Sequence, residues 1–382
     1  MHKNMQAQRQ DSIQKARRII IKIGSAVLTT DKGLDLRVVN RLADQCASLH
    51  DRGLEIMLVT SGAVAAGRSM LEPERLSGCM THKQAASAIG QSRLMHAYDE
   101  AFERYGKITA QVLLTKDDLR SRERFLNARN TVCQLLDWKV IPIANENDTV
   151  AVQELKFGDN DALSALVANL IGADLIINLT SADGVFDDNP LENPDARFVA
   201  HIDNIDSCNL SAMCRGKTGA GTGGMLSKLM AARRAARIGV PTLIVSGKQK
   251  FILDRVFQGE DLGTWVAPTG KTLSGRKFWL AYHLDPAGVL TVDEGAVQAL
   301  QTKGKSLLAA GIAQVDGNFG VGALVKIIGP DLATVGVGLS NFKAAELRKI
   351  QGRSSQEIEH ILGPCPHREV IHRDNLVLDS AL

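Results

Sequence analysis

The chain has 382 residues, more than one average domain, with 45% hydrophobic and 23% charged residues, the balance of a globular protein with a substantial core. A formal net charge of +3 implies no general affinity for nucleic acid or anionic membrane surfaces. No apolar run approaches the length of a membrane span, and the six cysteines include no C-x-x-C pair, so reduced thiols in a cytoplasmic protein are expected.

Residues 1–16 contain four glutamines and four charged residues, and are expected to form a flexible extension with no catalytic role. From Arg17 to about Gly247 the chain alternates apolar strand-like runs with longer amphipathic stretches. The strand candidates are Arg18–Ile23, Glu55–Thr60, Val140–Ala144, Asp174–Leu179 and Pro241–Ser246. Helix-like segments include Leu36–His50, Lys83–Tyr105, Asp161–Leu170 and Met225–Ile238. Near-continuous apolar strands separated by helices predict an α/β domain, a mainly parallel sheet sandwiched between helices, over residues 17–258. Residues 259–276, with one proline and four glycines, read as a linker. Short segments with turn signals follow, such as Asp316-Gly-Asn-Phe-Gly and Val335-Gly-Val-Gly-Leu, predicting a small β-rich domain within residues 277–382.

In an open parallel sheet, ligands bind beyond the carboxyl ends of the strands. After the first strand come Lys22, Gly24 and Ser25, an ammonium and backbone donors suited to phosphate; a surface lysine beside a tight turn is the plainer alternative. Thr60-Ser61-Gly62-Ala63 follows the second strand, where small residues allow backbone donors to approach an anion, or merely allow close helix packing. Asn145-Glu146-Asn147-Asp148 and Phe157-Gly158-Asp159-Asn160-Asp161 are polar clusters able to bind an amino group and carboxylate, or to hold catalytic lysines. The stretch Gly216–Met225 formally matches G-x-G-x-x-G at 219, 221 and 224, but no strand precedes it and no acidic residue follows the next strand. A Walker A loop also fails, because its first glycine would fall on Ser211. What remains is a glycine-rich loop at a helix start with Lys228 one turn in, which suits nucleotide phosphates. The nine histidines are dispersed without H-E-x-x-H, so zinc is not expected.

Taken together, Ile20-Ile-Lys22-Ile-Gly24-Ser25, Val59-Thr-Ser61-Gly62-Ala-Val-Ala-Ala-Gly67, Gln91-Ser-Arg-Leu, Arg122-Glu-Arg-Phe, Asn145-Glu-Asn-Asp148, Gly158-Asp-Asn160-Asp161 and Gly221-Thr-Gly-Gly-Met-Leu-Ser-Lys228 resemble the amino acid kinase family. The likeness is greatest to the members that phosphorylate L-glutamate, and the tail from Thr291 through Asn341 resembles a PUA domain. This resemblance implies an αβα sandwich and transfer of the ATP γ-phosphoryl group to the γ-carboxylate of L-glutamate, the first step of proline biosynthesis. It implies Mg2+, L-proline as feedback inhibitor, and a homo-oligomer, dimer or tetramer. By the same resemblance Lys22 and Lys228 stabilise the transferring group and Asp161 orients them. Ser61, Asp148 and Asn160 bind glutamate, with Gly62 and Asn145 nearby. Thr180, Ser181 and Thr222, Gly223, Gly224, Met225, Leu226, Ser227 and Lys228 hold ATP. Relatives commonly carry Thr-Asp where this chain has Thr180-Ser181, which puts one nucleotide contact in question. Two alternatives stand beside this reading. One is a sibling kinase acting on aspartate, N-acetylglutamate or UMP, although aspartokinases typically open with Lys-Phe-Gly-Gly-Thr. The other is RNA binding through the PUA-like domain, disfavoured because residues 277–382 carry 10 Lys or Arg against 11 Asp or Glu.

Overall fold

The computed structural model describes residues 2–71, 79–150, 160–190, 192–214, 224–269, 277, 278, 280, 285–363 and 368–378. It divides into two compact units, Met1–Thr272 and Leu273–Leu382.

The first unit is built on an eight-stranded sheet. Its strands are β1 (Arg18–Ile23), β2 (Glu55–Val59), β3 (Thr109–Leu114), β4 (Ile141–Glu146), β5 (Leu175–Thr180), β6 (His201–Ile202), β7 (Thr242–Ser246) and β8 (Thr264–Val266), in the spatial order β6-β8-β7-β5-β1-β2-β4-β3. All neighbours pair in parallel except β7 with β8. The central strands bury nearly every residue, Ile19, Ile21 and Ile23 on one face joining the main core, because helices cover both faces. Strand order reverses between β1 and β5, the switch point at which open α/β sheets bind ligands.

The helices follow the same logic. Helix α2 (Leu36–Asp51) turns Val39, Leu42, Cys46 and Leu49 inward at helical spacing and is capped by Asp35, whose side chain accepts from the Arg37 N–H. Helices α3 (Ala63–Arg68) and α4 (Met80–Glu103) cross with glycines at the contact: a Cβ on Gly67 would lie 1.8 Å from the Ala86 carbonyl oxygen, and one on Gly90 1.8 Å from that of Ala63. Helices α5 (Arg122–Asp137), α6 (Asn160–Ile171) and α7 (Met225–Arg237) also pack on the strands of this sheet.

Two expectations about the unit's limits differ from the structure. Residues 1–16 are not a loose extension: His2–Lys15 forms helix α1, with Ile13 and the following Ala16 in the main core. Arg9 pairs there with Asp261 and donates to the Leu262 carbonyl, while Gln10 donates to that of Gly259. The polar composition hid this, since the helix is held by partners some 250 residues away. Within the expected linker, Thr264–Val266 is a fully buried strand of the main sheet.

The second unit carries a five-stranded sheet of β9 (Gly288–Val292), β10 (Ile312–Gly317), β11 (Leu324–Ile328), β12 (Thr334–Leu339) and β13 (Leu376–Leu378), ordered β10-β9-β11-β12-β13. Only β9 and β11 pair in parallel. Its own core includes Leu290, Ile327, Leu347 and Ile371. No helix among the described residues is long and apolar enough to cross a membrane.

Candidate active site

At the switch point, β1 and β5 pair in a register that sets Lys22 directly beside Asn178. Residues so paired project from the same face, and both side chains reach one oxygen: Lys22 Nζ and Asn178 Nδ2 (2.9 Å) donate to Asp161 Oδ1. Helix α7 supplies the other side. Its Ser227 Oγ (2.8 Å) and Lys228 Nζ (3.2 Å) donate to Asp161 Oδ2. Asp161 is wholly buried, Lys22 is 1% exposed and Lys228 6%. Among the described residues two lysine ammonium groups share this one carboxylate, an arrangement suited to an incoming anion.

Helix α7 has Gly224 as its N-cap, in extended backbone and without a side chain to cap the first turn, and a helix N-terminus of this kind favours an anion. Lys228 lies one turn in, on the face that also carries Gly224 and Ser227; the Gly224 carbonyl, 2.8 Å from the Ser227 hydroxyl, is an alternative acceptor for the single proton that Ser227 offers Asp161.

Asn160 precedes Asp161 and faces the other half of the site. Its Nδ2 lies 2.5 Å from the Thr60 carbonyl, 3.0 Å from Ser61 Oγ and 2.9 Å from Asn145 Oδ1. Asn145 in turn donates to Gln91 Oε1 on α4 at 2.8 Å. One turn earlier on that helix, Ser87 donates to Asp148 Oδ2 at 2.5 Å. Thr60 Oγ1 meets the Tyr98 hydroxyl at 2.9 Å, and burial pushes the Tyr98 phenol well above its ordinary range, so it serves as a neutral hydrogen-bonding prop. Gly62, at φ +101°, turns the chain from β2 into α3 through a conformation that L side chains rarely adopt.

The structure thus brings together Lys22, Asp161, Ser227 and Lys228 in one cluster and Ser61, Asn145 and Asn160 in another, with the Asn160–Asp161 peptide joining them. Asp148 is tied to α4 through Ser87. Thr180 is buried at the end of β5, its carbonyl accepting from the Gly247 N–H at 2.9 Å, while Ser181 beside it is exposed. Met225 packs against the apolar cluster around Leu229 and Ile244, and Leu226 is 44% exposed, so neither side chain joins the lysines. Thr222 and Gly223, with Gly158 and Asp159, lie outside the described residues.

Sequence reasoning gave no role to Asn178, Ser87 or Tyr98, and quoted Gln91 only within a matching segment. Asn178 had a signal: it is the one amide in the strand Leu175–Thr180, set among Leu and Ile ahead of the terminal Thr180. Ser87 and Gln91 share a helix face four residues apart, which marks nothing until Asp148 and Asn145 arrive opposite them.

The family model for the amino acid kinase family matches residues 17–246, and that for the PUA domain matches residues 288–362. Glutamate 5-kinases are among the relatives. The one from Maridesulfovibrio salexigens is 58% identical over 97% of this chain and 98% of its own. That from Oleidesulfovibrio alaskensis is 58% identical over 99% of each, and one from Pseudomonas putida is 49% identical over 95% of this chain and 98% of its own. With its paired lysines at the switch point of a mainly parallel sheet, and this likeness running nearly end to end, the chain belongs to the amino acid kinase family, in its glutamate 5-kinase group, with a PUA domain following the kinase fold.

Proposed function

We propose that the chain transfers the γ-phosphoryl group of ATP to the γ-carboxylate of L-glutamate, giving γ-glutamyl phosphate and ADP. The observation that carries this reading is the pair of buried lysines held on the two oxygens of Asp161, next to a network of amides. A carboxylate nucleophile is already ionised near neutral pH, so no general base is needed. Phosphoryl transfer then requires alignment and neutralisation of charge on the transferring group. Lys22 and Lys228 supply the positive charge, and Asp161 fixes their positions while lowering the cost of burying both. Asn178 and Ser227 hold that carboxylate from either side.

On the glutamate side, Asp148 and Asn160 receive the α-ammonium group, with Ser61 and Gly62 lining the turn beside it and Asn145 holding Asn160 in place. On the nucleotide side, the α7 N-terminus from Gly224 to Lys228, together with Thr180 and the stretch that includes Thr222 and Gly223, holds the phosphates; the exposed Ser181 adds a contact at the rim. Magnesium enters with the nucleotide as MgATP. The reaction opens proline biosynthesis in the cytoplasm, with L-proline as its feedback inhibitor and a homo-oligomer as the working form.

The test is ADP release from MgATP against L-glutamate, L-aspartate, N-acetyl-L-glutamate and UMP, with hydroxylamine present to trap an acyl phosphate. Turnover confined to L-glutamate with hydroxamate formed is the expected result. Turnover of another substrate in its place, or of none, overturns the assignment.

A further inference from the structure

The amide network leaves over one donor and one acceptor, and their identities are set by backbone groups. Asn145 Oδ1 accepts from the Glu146 backbone N–H at 3.0 Å, and an N–H can only donate, so the Asn145 amide cannot be turned round. Its Nδ2 therefore points to Gln91, and the Gln91 atom that accepts at 2.8 Å is Oε1. Gln91 Nε2 is the group left facing elsewhere: it is buried, on a side chain 9% exposed, with no hydrogen-bond partner among the described residues. The same reasoning fixes Asn160. Its Nδ2 sits against the Thr60 carbonyl, which can only accept, and this leaves Asn160 Oδ1 buried and without a partner. Buried polar atoms are seldom left unpaired in a finished structure, and here two of opposite kind belong to one connected network.

An N–H donor and a carbonyl acceptor joined through Asn145 match the two charged groups on the α-carbon of an amino acid. We propose that Gln91 is a specificity-determining residue: its Nε2 donates to the α-carboxylate of L-glutamate while Asn160 Oδ1 accepts from the α-ammonium group. The assignment rests on the glutamate reading above. Gln91 stands on the helix that also anchors Asp148 through Ser87, so α4 presents the carboxylate donor and positions an ammonium acceptor one turn apart. Both lie away from the lysine cluster, with the Asn160–Asp161 peptide between, so the γ-carboxylate of a bound glutamate extends toward Lys22 and Lys228.

The experiment uses the full chain as wild type, Gln91→Glu and Gln91→Leu. Glutamate at 91 keeps an oxygen for Asn145 Nδ2 but replaces the donor by a second oxygen; leucine removes the donor without adding charge. Three quantities are measured with MgATP: KM for L-glutamate, Ki for glutarate, which keeps both carboxylates and lacks the ammonium, and Ki for 4-aminobutanoate, which keeps the ammonium and lacks the α-carboxylate. Both variants are expected to raise the first two by about ten-fold or more, since each loses a hydrogen bond to a charged group. Ki for 4-aminobutanoate should stay within about two-fold, and kcat at saturating glutamate within about three-fold. An equal loss for all three ligands would reduce Gln91 to a packing role, and no loss for any would remove it from the site. A wild-type chain that does not phosphorylate L-glutamate takes the functional reading down together with this one. Wild-type turnover with unchanged variants defeats this inference alone.

Discussion

Gly90→Ala is the substitution for which the structure gives the most direct magnitude. A Cβ at residue 90 would lie 1.8 Å from the Ala63 carbonyl oxygen and 2.4 Å from the Gly67 nitrogen, whereas ordinary contact begins at 3.4 Å. Relief needs 3.4 − 1.8 = 1.6 Å of movement, and because the obstructing atoms are backbone no rotamer change supplies it. Overpacking of this kind costs about 1–3 kcal/mol, and strain against rigid backbone lies toward the upper end. Alanine in place of glycine inside a helix returns up to about 1 kcal/mol, so a net loss of about 1–2 kcal/mol is expected. For a unit of this size that lowers Tm by roughly 2–8 °C. The substitution also reaches the site. Ala63 directly follows Ser61 and Gly62, and Gly90 directly precedes Gln91, so forcing the helices apart stretches a relay whose bonds run from 2.8 to 3.0 Å from Gln91 through Asn145 and Asn160 to Ser61. Even part of that displacement, taken up by one link, carries it beyond hydrogen-bond reach. KM for L-glutamate should rise about ten-fold or more with kcat much less affected, read from initial rates beside a calorimetric Tm. Gly320→Ala, where nothing lies within 4 Å of the new Cβ, is the control and should leave both unchanged. A Gly90→Ala protein with wild-type Tm and KM would refute the close crossing of these helices.

Lys228→Ala removes an ammonium that acts on charge developing in transfer, so kcat should fall about 10²–10³-fold while KM for glutamate moves only a few-fold; the reverse pattern would strip Lys228 of its role. Asp148→Ala should raise KM for glutamate about ten-fold or more with kcat largely retained, and an unaltered KM would count against an ammonium contact. Burial tends to raise the Asp206 carboxyl, but hydrogen bonds and charge from Arg233 and Arg237 outweigh it and hold the group below the ordinary carboxylate range. A depressed folded-state value means that its contribution to stability is complete above the unfolded pKa of about 3.9 and disappears as pH falls through the lower folded value. The Tm difference between wild type and Asp206→Ala should therefore be constant from about pH 7 to pH 5 and shrink only below about pH 4. A difference already gone at pH 5 would contradict that sign.

Local pattern carried much of this protein. Runs such as Arg18–Ile23 and Leu175–Thr180 are apolar on both faces, which only a sheet covered by helices on both sides tolerates, and so the central strands and the helices between them were readable in order. Polar residues at the ends of those strands marked Lys22 and Asn145 as candidates for the ligand edge, whereas Thr180 was named only through the family resemblance. Elements with weak periodicity were not readable in this way. The edge strand Thr109–Leu114 buries only Leu114, and Arg122–Asp137 buries only Val132 and Leu136, so neither shows a continuous apolar face. The docked helix His2–Lys15 is tied by Gln6, Arg9 and Gln10 to residues far along the chain, contacts with no local trace.

The sequence by itself determined which residues could bear charge or hydrogen bonds at each strand end, because side-chain type and the period of burial are local properties. Tertiary structure decided how they were joined. The register of β1 on β5 puts Asn178 beside Lys22, the α6 N-terminus sends Asn160 and Asp161 in opposite directions, and the glycine crossing brings Gln91 to Asn145. A hydrogen bond depends on two positions fixed to within a few tenths of an ångström, and across 139 residues from Lys22 to Asp161 only the packed fold sets that distance.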